Sequence, residues 1–379
     1  MSSSDLLNEF PNAMVLNSSR PFRNRLLKWF DANARDLPWR KNKTPYRIWI
    51  SEIMLQQTQV ATVIDYYLRF MKRFPTVKKL AAADQSDVLK LWEGLGYYRR
   101  ARQLHNAAIQ IVADHNGKFP TNFDDVLALP GIGRYTASAI LSISQDQQLP
   151  ILEGNTIRLY ARLLQMEFDP KSSANQKILW RFAESIVPKS RAGDFNQALM
   201  ELGNRVCKPK NPHCGECPVA KFCPTFVQGL QTEIPAASKK MIYEDITEAI
   251  LLVRRNGKFL VRQCGEGERW TGLWDFPRYE ITGKSSKCFL QQQLKQMTGL
   301  NASISSLNKT IKHAVTKYRI TLKCFSAANI QGRVKKDSGG KWLSRKQLSS
   351  LPMSITGRKI CDALDELNLN SNLKSKSKV

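Results

Sequence analysis

From residue 20 to 203 the apolar positions recur at helical spacing, the signature of helices that each bury one face. Leu104, Ala108, Ile111 and Val112 form one such stripe, and Gly117 ends it. The same period predicts helices over Ser51–Arg73, Asp84–Glu93 and Thr156–Met166. After residue 245 the period changes. The run EAILLVRRNGKFLVRQ is two apolar stretches around Asn256-Gly257, a pair that tolerates positive φ at both positions and so predicts a β-hairpin. Tyr318, Ile320 and Leu322 alternate with Arg319, Thr321 and Lys323, which predicts a strand with one buried face, and Phe289–Met297 returns to helical spacing. A mainly α domain followed by an α+β domain is expected.

The 379 residues exceed one ordinary core and suit two domains at roughly 100–200 residues each. The pattern divides them into a loose tail over 1–19, a helical domain over 20–203, a short loop over 204–226 and a linker over 227–245. A second domain over 246–368 and a basic tail over 369–379 complete the chain. With 42% hydrophobic and 24% charged residues, a mostly disordered chain or a collagen-like fibre is excluded. The net charge of +26 points to a polyanionic partner, with nucleic acid preferred over a membrane surface. The chain contains no apolar run of about 18 residues and opens without a basic, apolar leader, so a cytoplasmic protein is expected. Eight cysteines in that setting suggest reduced thiols or a metal site.

Their spacing narrows the choice. Cys207, Cys214, Cys217 and Cys223 lie within a Pro- and Lys-rich loop that has no core of its own, and four thiolates at such spacing suit either Zn2+ or a [4Fe–4S] cluster. Lys208, Lys210 and Lys221 surround them, as expected of a loop near phosphates. Cys264, Cys288, Cys324 and Cys361 are scattered and read as ordinary packed or surface thiols. The stretch Leu129-Pro130-Gly131-Ile132-Gly133-Arg134 precedes a helical run; two glycines allow close backbone approach, and the helix N-terminus attracts an anion, so the turn reads as a phosphate cradle or a plain connector. In PYRIWISEIMLQQT, Glu52 shares a helical stripe with Ile48 and Leu55, amid Trp49, Ile53 and Met54. A carboxyl desolvated there has a raised pKa and can act as a general acid; alternatively it is a buried glutamate paired with Arg35 or Arg40.

Six features, taken in order, resemble the MutY-type adenine DNA glycosylases of the helix-hairpin-helix superfamily: LPWR at 37–40, SEIMLQQT at 51–58, GLGYYRRARQLH at 94–105, LPGIG at 129–133, the four-cysteine spacing, and GLWDFP at 272–277. The resemblance covers about residues 20–365. It implies a helix-hairpin-helix glycosylase domain with a six-helix barrel, a [4Fe–4S] loop and a Nudix-like C-terminal domain that reads 8-oxoguanine. It further implies a monomer that binds duplex DNA holding adenine opposite 8-oxoguanine or guanine, with no membrane partner, and that breaks the adenine N-glycosidic bond.

By this resemblance Glu52 donates the proton to adenine, and Glu153, where the family usually has aspartate, stabilises the sugar cation with Asn155 and Tyr135 as hydrogen-bonding neighbours. Gln57 and Tyr97 would wedge into the base stack, with Leu55 and Gln56 nearby; Arg40, Gly131, Gly133 and Arg134 would also serve DNA binding. Related endonuclease III-type enzymes carry a lysine at the Tyr135 position, so a monofunctional enzyme is expected here. The family's Phe-Ser-His turn is replaced by Val315-Thr316-Lys317, with Thr316 keeping a hydroxyl and Lys317 standing for the histidine. The consensus Nudix box is absent around Gly283–Gly299, so pyrophosphate hydrolysis is not expected.

Overall fold

The computed structural model describes residues 8, 10, 12–236, 242–281 and 286–364. The basic tail over 369–379, part of the expected linker and part of the expected N-terminal tail lie outside these residues. The chain divides into two compact units, one of residues 1–82 and 103–239, the other of residues 83–102 and 240–379. The second unit thus takes Ala83–Arg102 out of the region read from sequence as one helical domain.

The first unit is helical. At its centre the Arg134–Gln145 helix packs on Pro45–Leu55 and on Ala192–Arg205, and the last also packs on Ser19–Asn33 and Gly154–Leu164. The reason lies in their compositions: Arg134–Gln145 is buried from Thr136 to Ile143 and uses small residues, Ala137, Ser138 and Ala139, where its neighbours approach. Phe22, Leu26, Tyr160, Phe182, Phe195 and Leu199 fill the adjoining core. Ala13 and Val15 are fully buried in that core, so the part of the supposed loose tail that is described is packed. Apolar side chains too few to show a period still found a hydrophobic surface to cover.

The expected continuous helix over Ser51–Arg73 is two helices, Pro45–Leu55 and Val60–Arg73. Gln57 has φ of +56°, which turns the chain, and the Gln56 amide donates to Thr136 Oγ1 at 3.3 Å. No glycine or proline marks this break, so local propensity did not reveal it.

In the second unit a seven-stranded mixed sheet runs in the order β3 (Trp274–Asp275), β2 (Lys258–Gln263), β1 (Glu244–Arg255), β6 (Tyr318–Gln331), β5 (Asn301–Val315); β4 (Arg278–Glu280) pairs with β1 and β7 (Gly340–Leu343) with β2. The β1–β2 hairpin turns at Asn256 and Gly257, with φ of +50° and +73°, as expected of that dipeptide. β1 and β6 are parallel, which places β1 inside the sheet with both faces covered. Ile250 and Leu252 face a core with Leu348 and Ile360, whereas Ala249, Leu251 and Val253 face another with Leu290 and Leu294. Two covered faces explain why β1 reads as an unbroken apolar run instead of an alternating one.

Candidate active site

Glu52 lies on the inner face of the Pro45–Leu55 helix and is only 5% exposed. Thr44 caps this helix and Pro45 starts it, which sets the register that carries Glu52 inward with Ile48, Trp49 and Ile53. Tyr135, in the first turn of Arg134–Gln145, donates its hydroxyl to Glu52 Oε2 at 2.6 Å and lies 3.4 Å from Met200 Sδ. Burial pushes the Glu52 carboxyl up to about 7; the negative charge of Glu153 adds to the rise, and the Tyr135 hydrogen bond and the Arg40 charge oppose it. Burial and the same two carboxylates hold the Tyr135 phenol well above its ordinary value, so it stays a donor.

The alternative pairing of Glu52 with Arg35 or Arg40 does not occur. Both guanidiniums go to Glu201: Arg35 Nε at 2.5 Å and Arg40 Nη2 at 2.9 Å. Arg40 also reaches Gln197 Oε1 and the Arg35 carbonyl, and stacks over Phe30. In the free protein the Arg40 side chain is a brace within the helical unit, mostly buried. Burial alone would raise Glu201, but the two arginines outweigh it and hold its carboxyl below the usual range. One interior glutamate is ionised and paired; the other holds its proton up to a pH of about 7.

Glu153 is the N-cap of the Gly154–Leu164 helix. Its Oε2 accepts from the Asn155 amide at 2.8 Å and its Oε1 from the Thr156 amide at 3.0 Å, while Thr156 Oγ1 accepts from the Glu153 amide at 2.8 Å. Burial raises the Glu153 carboxyl, against the pull of these amides and of Arg158. Asn155 Oδ1 accepts from Arg158 Nη2 at 3.0 Å, and Arg158 Nε donates to the Cys207 carbonyl at 2.8 Å. Arg158 thus ties the carboxylate's helix to the cysteine loop, a link that residue spacing along one helix does not announce.

Cys207, Cys214, Cys217 and Cys223 line one small pocket together with Leu159 and Val206. Their loop has almost no regular structure, two single-turn 3-10 helices at Cys214–Glu216 and Ala220–Phe222. The buried Arg162 donates from Nη1 to Cys207 Sγ at 3.1 Å and from its other nitrogens to the Ile234 and Gln231 carbonyls. Four sulfur donors with no carboxylate among them, and a cation against one, fit a thiolate-held metal cluster.

In the turn before Tyr135, Leu129 and Ile132 are buried and pin the hairpin, Gly131 has φ of +77°, and Gly133 caps the following helix with open space above its Cα. A Cβ on Gly131 would come within 2.8 Å of Gln103 Cβ. The backbone there is bare, which suits a phosphate approaching a helix N-terminus. Arg134 turns away from the turn, to Glu184 Oε1 at 2.5 Å and over the Trp180 ring. Leu55 and Gln56 are half-buried at the end of the Glu52 helix, and Gln57 is exposed. In the second unit Tyr97 is 48% exposed, with φ of +47°. Thr316 and Lys317 form the exposed two-residue turn between β5 and β6; Thr316 has φ of +52° and Lys317 Nζ pairs with Glu244 Oε1 at 2.7 Å.

Comparison with known proteins places family matches over the same segments. The model of the HhH-GPD superfamily base excision DNA repair proteins matches residues 50–185, the iron-sulfur binding domain of endonuclease III matches 207–223, and the NUDIX domain matches 249–363. The cysteine loop therefore holds a [4Fe–4S] cluster. Among solved structures, a thermostable thymine-DNA glycosylase superposes with a TM-score of 0.51 at 29% identity, over 56% of this chain and 99% of that one. The adenine DNA glycosylase of Buchnera aphidicola from Schizaphis graminum is 39% identical over 70% of this chain and 76% of its own length. Those of Rattus norvegicus and Homo sapiens are 33% and 31% identical over 91% and 89% of this chain, and 78% and 73% of their own lengths. With the buried Glu52–Tyr135 pair, the glycine hairpin and the four-cysteine loop in place, the chain belongs to the adenine DNA glycosylase family.

Proposed function

We propose that the protein is a monofunctional adenine DNA glycosylase of base excision repair, hydrolysing the N-glycosidic bond of adenine opposite 8-oxoguanine or guanine. The observation that carries this reading is a glutamic acid, Glu52, held near neutral pKa by burial, hydrogen-bonded to a phenol and facing the charge of a second carboxylate, Glu153. Adenine departs poorly as an anion, so the Glu52 proton goes to the leaving base. Positive charge then grows on the sugar, where Glu153 stabilises it until water attacks the anomeric carbon. Both oxygens of Glu153 are oriented by backbone amides, which fixes the added methylene of glutamate relative to aspartate.

The base must leave the stack to reach this chemistry. The bare Gly131–Gly133 turn grips the backbone, Gln57 and Tyr97 fill the space vacated, and Thr316 and Lys317 meet the opposite base. When bound, the cluster organises the 207–223 loop, and Lys208, Lys210 and Lys221 carry its positive charge toward phosphates. Tyr135 supports single-step chemistry: an imine to the sugar needs an amine, and a phenol that donates to Glu52 offers none. The protein acts alone on duplex DNA, and no helix among the described residues is long and apolar enough to cross a membrane.

The test is single-turnover adenine release, with protein in excess over a duplex holding one adenine opposite 8-oxoguanine, read by strand breakage with and without alkali. Breakage only after alkali supports the reading. Tight binding without release, from protein with a full cluster, points instead to a silent mismatch binder, and breakage without alkali to strand-cutting chemistry.

A further inference from the structure

Three of the four residues Gly94 to Tyr97 have positive φ: +96° at Gly94, +76° at Gly96 and +47° at Tyr97. A tyrosine in that region of backbone space is strained, and such strain persists only where surroundings over-determine it. Here they do. Trp92 Nε1 donates to the Gly96 carbonyl at 3.1 Å, Arg100 Nη2 donates to the Leu95 and Gly96 carbonyls, and the Arg100 guanidinium stacks on both Trp92 and Tyr97. The Gly94 amide donates to the Tyr98 hydroxyl, which donates in turn to the Met353 carbonyl at 3.2 Å.

The C-terminal part of the chain makes the remaining ties. Arg358 holds Glu93 through both nitrogens, Nε to Oε1 at 2.5 Å and Nη2 to Oε2 at 3.2 Å, and its guanidinium also donates to the Leu348 and Leu351 carbonyls. Lys90 Nζ completes the pair, bonding both Glu93 Oε2 and the Leu351 carbonyl, and Arg102 Nη1 reaches the Thr271 carbonyl at 2.6 Å. A planar guanidinium in a two-point contact fixes orientation as well as distance. Glu93 is one residue from the first glycine of the strained turn.

We infer that Arg358, acting through Glu93, is a positioning residue that holds the Gly94–Tyr97 turn so that Tyr97 is presented ready to stack in the duplex. The inference rests on the proposed role of Tyr97 as the residue that enters the base stack. It makes the presentation of the wedge a property of the C-terminal unit, reaching beyond that unit's contact with the orphan base.

The test is a double-mutant cycle on full-length, cluster-loaded protein with Arg358→Ala, Tyr97→Ala and the double variant. Fluorescence anisotropy gives binding to a duplex with adenine opposite 8-oxoguanine, and enzyme excess gives adenine release. Tyr97→Ala is expected to weaken binding about 5- to 100-fold, the worth of one stacked aromatic. Arg358→Ala is expected to weaken it about fivefold or more alone, and by less than about twofold in the Tyr97→Ala background, because the lever then has nothing to present. Equal losses in both backgrounds, or no loss from either single change, overturn the inference. Glu93→Gln keeps the side-chain shape and serves if Arg358→Ala does not fold, as judged by circular dichroism and thermal melting of the full chain; it must show the same background dependence. Absence of adenine release by the unaltered protein would instead count against the proposed function, which separates the two failures.

Discussion

Tyr135 donates to Glu52 across two helices, and this contact leaves Glu52 the interior carboxyl that meets a phenol where Glu201 meets two guanidiniums. The contrast is one of partners, since both side chains are almost wholly buried. A hydrogen bond from a neutral hydroxyl offsets only part of the cost of burying a charge, whereas two cations more than offset it. Proton storage at Glu52 follows from keeping arginine away from it.

Glu52 titrates at about 7 in the folded chain, above its ordinary 4.5. Between those values the folded state holds more proton than the unfolded one, so this group's contribution is fully present below 4.5 and declines as the pH rises toward 7. Glu52→Gln is expected to abolish base release and, at pH 8, to stabilise the protein by on the order of 2–3 kcal/mol, with little gain near pH 5. Urea denaturation of both proteins at the two pH values measures this; a gain that does not grow with pH contradicts it.

Removing the phenolic donor should push the Glu52 carboxyl still higher, because that hydrogen bond favours the ionised form. Tyr135→Phe therefore shifts the alkaline limb of the single-turnover rate profile to higher pH, with the rate at pH 6 staying within about tenfold of the unaltered enzyme. A limb that stays in place would show that another group sets it. Borohydride should trap no covalent complex with either protein.

Glu153→Gln keeps an amide oxygen for the helix cap but removes the charge. Base release should fall by about 100-fold or more, while duplex affinity is unchanged and the loss of stability is below about 1 kcal/mol. Near-normal release by this variant would remove Glu153 from the mechanism.

Truncating Glu201 strands Arg35 and Arg40 in the interior without their shared anion. Glu201→Ala is expected to cost about 3–5 kcal/mol in chemical denaturation. A cost near zero would mean that solvent reaches the site and that Arg40 is free for another partner.

Lys317→Ala tests the replaced histidine position. The ratio of adenine release opposite 8-oxoguanine to that opposite guanine should change; an unchanged ratio would assign Lys317 to its surface pair with Glu244.

Local chemistry and period are legible in the order of residues. The Asn256-Gly257 hairpin, the helix over Lys287–Thr298, the glycine turn before Arg134 and the four-cysteine spacing depend on neighbours a few residues apart, and each is found where its pattern lies. The apolar stripe likewise carried Glu52 inward. Long-range packing settles which glutamate receives the arginines: Arg35 and Arg40 precede Glu52 closely in the chain, yet their partner is Glu201, 161 residues from Arg40. It also broke the Ser51–Arg73 helix at Gln57, where a long-range amide contact outweighs helix propensity, and gave the turn carrying Tyr97 to the C-terminal unit through Glu93 and Arg358. Such pairings rest on charge and space met across the fold, and residue spacing does not encode them.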